Sequence, residues 1–233
     1  MDAMPDSADV SDPDASLQWP LPQPAPAGAL SGGGPLRLAV MASGEGSNFE
    51  ALVDACARGL VPGRVELLAV NRERCGAKER AGRLGIPCHL LDHRRHASRE
   101  ALDHALISLF RENRIDLVVM AGWMRIVTPV LIEAFADRLV NIHPSLLPSF
   151  RGADGVGQAL DAGVTLSGCT AHLVTAEVDA GPILVQAAVP VLPGDDRERL
   201  HARIQRQEHR ILPLAVGLAA QRLAGGAPPQ GQG

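Results

Sequence analysis

Short apolar runs alternate with amphipathic stretches from residue 36 onward. Leu36–Ala42 is apolar over the length of a strand, while Phe49–Arg58 spaces its apolar residues for one face of a helix. The same reading predicts strands at Val65–Val70, Cys88–Leu91, Asp116–Met120 and Arg138–His143. Helices are predicted at Cys75–Leu84, punctuated by Gly85, at Arg99–Glu112 after a Ser98 cap, and at Pro129–Phe135. A βαβα order of this kind implies a parallel sheet with right-handed crossovers.

The pattern then changes. Gly168–Thr175 and Ile183–Val191 are strand-like runs joined by the turn-rich segment 176–182, so they predict an antiparallel hairpin. Asp195 is expected to open a last helix, with Glu198 completing a capping box and Leu200, Ile204 and Ile211 forming its inner stripe. The fold class is therefore α/β, a Rossmann-like parallel half continued by an antiparallel hairpin extension and a C-terminal helix. Residues 1–34 and 224–233 are rich in Pro, Ala and Gly without apolar periodicity, and are expected to be disordered around one domain at 35–223.

Composition narrows the function. The 233 residues are 46% hydrophobic and 21% charged, as in an ordinary soluble domain. The 22 basic and 26 acidic residues leave a net charge of −4, which argues against a nucleic-acid partner. No apolar run is long enough for a membrane span, and the start of the chain lacks the basic and apolar regions of a signal peptide. Cys56, Cys75, Cys88 and Cys169 form no C-x-x-C pair and read as thiols of a reducing cytoplasm. No metal-ligand spacing occurs.

The first strand runs into Ser43-Gly44-Glu45-Gly46-Ser47-Asn48 and a helix follows at once. Such a turn offers free N–H groups and a positive dipole end to an anion, although Gly-x-Gly alone also makes tight turns that bind nothing. A nicotinamide dinucleotide is disfavoured, because Phe49 replaces the third small residue and Asn71 the acid expected after the second strand. No Gly-Lys-Ser/Thr occurs, so a single phosphate, as on a phosphosugar, fits best. Glu45 must then point away from the anion.

Leu139-Val140-Asn141-Ile142-His143 alternates, so Asn141 and His143 share one strand face, and Pro144 ends the strand. An amide and an imidazole there suit acyl transfer to an amine: His143 exchanges protons and Asn141 donates to a developing oxyanion. Each also has a bland reading, a structural histidine and a strand-end asparagine. Asp179, in Asp-Ala-Gly-Pro, reads by itself as turn chemistry. Met124-Arg125-Ile126-Val127 lies at the end of a strand, where it suits either a flat heteroaromatic ligand or plain packing with a surface arginine. Glu208 borders the apolar stripe of the last helix, facing a cleft or solvent, and Arg99 opposes the dipole of its own helix.

Taken in order, Ser43-Gly44-x-Gly46-Ser47-Asn48, Ala121-Gly122-Trp123-Met124-Arg125-Ile126, Asn141-Ile142-His143-Pro144-Ser145-Leu146-Leu147-Pro148, Asp179-x-Gly181-Pro182 and Gln207-Glu208-His209 resemble the phosphoribosylglycinamide formyltransferases, folate-dependent enzymes of purine synthesis. The resemblance covers about Leu36 to Leu223. It implies a phosphate-binding half at 35–135 and a catalytic and folate-binding half at 136–223. Catalysis would fall to Asn141, His143 and Asp179. The phosphoribosyl moiety would lie on Gly46, Ser47, Asn48 and Glu208. The co-substrate 10-formyltetrahydrofolate would meet Arg99, Met124, Arg125, Ile126, Val127 and Asn141. The implied partners are small molecules, for a monomer or homodimer.

Two stretches depart from the family. Phe150-Arg151-Gly152-Ala153-Asp154 stands where many members carry Gly-x-His and is similar to the Arg-Gly-Ala of the transfer-RNA formyltransferases, and Glu45 sits in the phosphate loop. The rivals are a transfer-RNA formyltransferase, which would carry a C-terminal RNA-binding domain, and a formyltetrahydrofolate hydrolase, which would carry an N-terminal regulatory domain. A non-catalytic phosphosugar-binding module would be expected to lose Asn141, His143 or Asp179.

Overall fold

The computed structural model describes Leu17–Trp19 and residues 34–225. In chain order the elements are β1 (Leu17–Trp19), β2 (Leu36–Ala42), α1 (Ser47–Ala57), β3 (Gly63–Val70), α2 (Gly76–Leu84), β4 (Cys88–Leu90) and α3 (Arg99–Glu112). There follow β5 (Leu117–Met120), α4 (Pro129–Ala134), β6 (Leu139–His143), α5 (Gly155–Asp161), β7 (Leu166–Leu173), β8 (Ile183–Pro190) and α6 (Arg197–Leu223).

The eight strands among the described residues form one sheet in the order β1-β8-β7-β6-β5-β2-β3-β4. Strands β2 to β6 pair in parallel, as a βα alternation requires, and β7 and β8 continue the sheet antiparallel from β6. The expected architecture is therefore present, a parallel half with an antiparallel extension and a long closing helix. The N-terminal segment adds a strand that was not expected: β1 pairs antiparallel with β8, Leu17 opposite Ala188 and Trp19 opposite Gln186. The remainder of the expected disordered extension and the tail beyond residue 225 lie outside the described residues.

Strand alternation divides the core in two. Leu38, Val40, Leu117, Val119, Val140 and Ile142 face one side, where Phe49 and Leu52 of α1 and Ile204, Ile211 and Val216 of α6 cover them. Ala39, Met41, Val118, Met120 and Leu139 face the other, against Leu106 and Phe110 of α3 and Leu131 of α4. Each fully buried side chain of this kind contributes about 1.5–3 kcal/mol.

Two local expectations are corrected. The last helix begins at Arg197 and its cap is Asp196, which accepts the Arg199 N–H at 2.8 Å. Asp195 is occupied elsewhere, since it accepts the Leu192 N–H at 2.8 Å and pairs with the buried Arg203 at 2.7 Å. Helix α5 was not expected; it is 7 residues long and is capped by Asp154, which accepts the Gly157 N–H at 3.1 Å. Among the described residues no helix is long and apolar enough to cross a membrane.

Strand β2 lies between β3 and β5, so the chain leaves it in one direction and returns on the other side. The crevice at the carboxyl ends of β2 and β5 is the place where such sheets bind ligands.

Candidate active site

One wall of the crevice is the β2–α1 turn. Gly46 caps α1 with φ 76°, a left-handed conformation that suits glycine. A Cβ at Gly46 would come within 2.6 Å of Ala77 in α2, so the close approach of α2 also requires glycine. Among the described residues no side chain caps α1. The N–H groups of its first turn are thus left for a ligand. The carboxylate of Glu45 points elsewhere: a Cβ on Gly76, at the start of α2, would meet Glu45 Oε2 at 2.6 Å. Its charge lies at the positive end of α2, which resolves the oddity of an acid in this loop.

Asn48 and Glu208 meet across the fold. Asn48 Nδ2 donates to Glu208 Oε2 at 2.8 Å, and both residues are buried. Burial raises the Glu208 carboxyl above its usual range, opposed by the Asn48 hydrogen bond and by the charges of His201 and His143. The last helix therefore turns Glu208 inward, onto the loop that carries Gly46 and Ser47.

The opposite wall follows β5. Met124 N donates to Ser43 Oγ at 2.9 Å, tying this segment to the end of β2. Met124 and Ile126 are 63% and 58% exposed, an unusual setting for large apolar side chains, with the exposed Arg125 between them and Val127 buried beneath. The segment is anchored to α3 by Asp103, which accepts Thr128 N at 2.6 Å and Thr128 Oγ1 at 2.8 Å. Burial raises the Asp103 carboxyl, and the two Thr128 bonds moderate the rise. Arg99 lies one helical turn before Asp103, hence on the same side of α3, and is exposed. It shares no hydrogen bond or ion pair with the other candidates among the described residues.

Between the walls, at the end of β6, Asn141, His143 and Asp179 converge. Asp179 Oδ2 lies 3.4 Å from His143 Nδ1, and Asp179 Oδ1 lies 3.5 Å from Asn141 Nδ2. The carboxylate is held by the Gly152 N–H at 2.8 Å, and Asp179 has φ 51°. Burial works to raise its carboxyl, but the bonds from His172 and Gly152 and the nearby charge of His143 outweigh this, and it titrates below the usual carboxylate range. His143 is buried, with Nε2 2.8 Å from the Phe150 carbonyl.

The departing stretch 150–154 thus belongs to the site. Phe150 holds His143, Gly152 holds Asp179, and Asp154 caps α5 and pairs with Arg197 of α6 at 2.6 Å. A cavity of about 450 Å³ opens beside it, lined by Pro144, the start of α5, and Arg197, Glu198 and His201. Its edge is close to the imidazole, because a Cβ on Gly155 would lie 3.3 Å from His143 Nε2.

One member of the cluster escaped the sequence. His172 on β7 stands directly opposite Asn141 in the antiparallel register, 3.1 Å from its amide nitrogen and 3.5 Å from Asp179 Oδ1. The signal was an imidazole in a strand that also carries Ser167 and Thr170, and it acquires meaning once the β6–β7 register is known.

A glycine turn at the switch point, an exposed apolar rim, and an amide, imidazole and carboxylate at a strand end thus meet at one crevice, a set of groups suited to group transfer. Comparison with known proteins agrees. The family model described as formyl transferase matches residues 36–216, and the chain belongs to this family. Over 186 residues it is 47% identical to the phosphoribosylglycinamide formyltransferase of Mycobacterium tuberculosis, covering 80% of this chain and 86% of that protein. The crystal structure of glycinamide ribonucleotide transformylase 1 from Symbiobacterium toebii superimposes with a TM-score of 0.79 at 46% identity, covering 81% of this chain and 89% of that one. The human trifunctional purine biosynthetic protein adenosine-3 is 40% identical over 184 residues, of whose length the chain spans 18%.

Proposed function

We propose that the chain transfers the formyl group of 10-formyltetrahydrofolate to the amine of N1-(5-phospho-D-ribosyl)glycinamide, giving the N-formyl product and tetrahydrofolate in purine biosynthesis. The observation that carries this reading is the convergence of Asn141, His143 and Asp179 at the end of β6, between a phosphate-type loop and an apolar rim.

The first-turn N–H groups at Gly46, Ser47 and Asn48 would hold the acceptor phosphate, with Glu208 accepting from the ribose. Met124, Ile126 and Val127 give a flat pterin apolar contact, and Arg125 and Arg99 offer guanidinium groups to the carboxylates of the folate's glutamyl tail. That co-substrate supplies an activated formyl carbon. When the acceptor amine attacks this carbon, a C–N bond forms and the carbonyl electron pair moves to oxygen. Asn141 donates an N–H to that oxyanion, and His143 stabilises it and exchanges the proton. Asp179 keeps His143 oriented. The proton leaves the attacking nitrogen and reaches the departing folate nitrogen as the second C–N bond breaks. No side chain forms a covalent intermediate.

An assay of tetrahydrofolate release with and without the acceptor tests the reading. Release that depends on the acceptor and yields formylated product is expected. Equal release without acceptor would identify a hydrolase and overturn the proposal.

A further inference from the structure

Gln158 lies on α5 outside the cluster, and the reaction as proposed gives it no role. Its Nε2 donates to the carbonyl oxygens of Arg151 at 3.2 Å and of Ala153 at 2.9 Å. Both partners are main-chain carbonyls, which only accept, so they fix the nitrogen end of the amide by themselves. Both of its hydrogens are engaged on the loop that departs from the family.

That loop needs such support. Phe150, Gly152 and Asp154 have φ values of 57°, 80° and 67°, so every second residue is left-handed. For Phe150 and Asp154 this conformation is sparsely populated and persists only where surrounding contacts impose it. Arg151 also pairs with Glu177 at 2.6 Å, but both side chains are exposed, and such a pair contributes little.

The Arg151 carbonyl and the Gly152 N–H belong to one peptide group. This peptide is trans, so planarity sends its C=O and its N–H in opposite directions. A donor on the carbonyl therefore fixes where the N–H points. That N–H is donated to Asp179 Oδ2 at 2.8 Å, and the same oxygen lies 3.4 Å from His143 Nδ1. One rigid plane thus connects Gln158 to the carboxylate that faces the imidazole. The bond to Ala153 holds the chain on the far side of Gly152 and opposes rotation of the plane.

We propose that Gln158 is a positioning residue: by holding the carbonyls on either side of Gly152 it aims the Gly152 N–H at Asp179, and so keeps that carboxylate set against His143. This rests on the reading of Asp179 as the group that orients His143, and it adds a residue that acts on the pair only through the main chain.

Two variants, one double variant and one exchange measurement test it. Gln158→Met keeps the length and removes both donors. Its kcat should fall about 3- to 10-fold, the weight of one or two neutral hydrogen bonds that water partly replaces. Both KM values should stay within about twofold of wild type, because no substrate contact is lost. Gln158→Glu keeps the size and helix propensity but offers only acceptors at neutral pH, so kcat should fall at least as far. A side chain that merely completes α5 would leave Gln158→Glu like wild type. In an Asp179→Ala background, Gln158→Met should cost less than about twofold, because the effect passes through the carboxylate. Amide hydrogen exchange followed by NMR reads the bond itself. Protection of Gly152 should fall about tenfold or more in Gln158→Met while the α5 amides keep theirs. Protection lost throughout α5 would mark a structural role and overturn the proposal. So would unchanged kcat in either single variant, unchanged protection of Gly152, or the full loss of kcat in the Asp179→Ala background. Each of these leaves an impaired Asp179→Ala, and with it the reading of the site, intact. An unimpaired Asp179→Ala would instead remove the orienting role on which the proposal depends.

Discussion

Asp179→Asn separates charge from shape. The substitution is nearly isosteric, asparagine tolerates the left-handed φ of 51°, and an amide oxygen can still accept the Gly152 N–H. What disappears is the negative charge 3.4 Å from His143 Nδ1. At that separation and an effective dielectric constant of about 20, attraction to a positively charged imidazole is about 5 kcal/mol, an upper bound for a site that water can reach. A fall in kcat of about 100- to 1,000-fold is expected, with both KM values changed only a few-fold. Stopped-flow or steady-state absorbance at the tetrahydrofolate product reads kcat directly, and circular dichroism confirms the fold. A kcat within threefold of wild type would show that the Asp179 charge does not serve the reaction, and the cluster would need another explanation. Stability has a definite sign as well. The folded Asp179 carboxyl titrates below the unfolded value of about 3.9. Its contribution is complete above that value and vanishes as pH falls through the lower, folded one, so wild type and Asp179→Asn should converge in stability toward strong acid.

Other outcomes follow from the same contacts. Gly46→Ala forces a side chain into the left-handed region at about 1–2 kcal/mol and places a Cβ 2.6 Å from Ala77. Denaturant unfolding should show at least that loss, and the acceptor KM should rise as the loop moves. Glu208→Gln should raise the unfolding midpoint at pH 7, because burial disfavours the charged carboxylate, yet weaken acceptor binding by about 10- to 100-fold if that charge meets the ribose. Unchanged acceptor KM would place the ribose elsewhere. Asp195→Ala breaks a buried pair with Arg203 and should cost about 3–5 kcal/mol without altering either KM.

The sheet was legible because its signals are local and repeated. Apolar runs and helical spacing mark every strand and helix of the parallel half, and alternation alone put Asn141 and His143 on one face. Three features depended on tertiary context. Helix α5 is too short for a period to show, and Gly155 and Gly157 lower its propensity; a left-handed Asp154 starts it. Two adjacent aspartates offered the same cap, and Arg203, eight residues on, decided which one was free to serve. His172 entered the site only through cross-strand register. Glu208 is intermediate: helical spacing placed it at the border of the stripe, and its contact with Asn48 fixed the side.

The Asn48–Glu208 hydrogen bond joins residues 160 positions apart. Pairings of such separation carry a high loop-closure cost and form late in folding. A chain emerging from the ribosome at about 5–20 residues per second completes its sheet strands well before residue 208 appears. Until α6 docks, Asn48 stands without Glu208, so under the proposed assignment of these two residues acceptor affinity is acquired only with the closing of the whole domain.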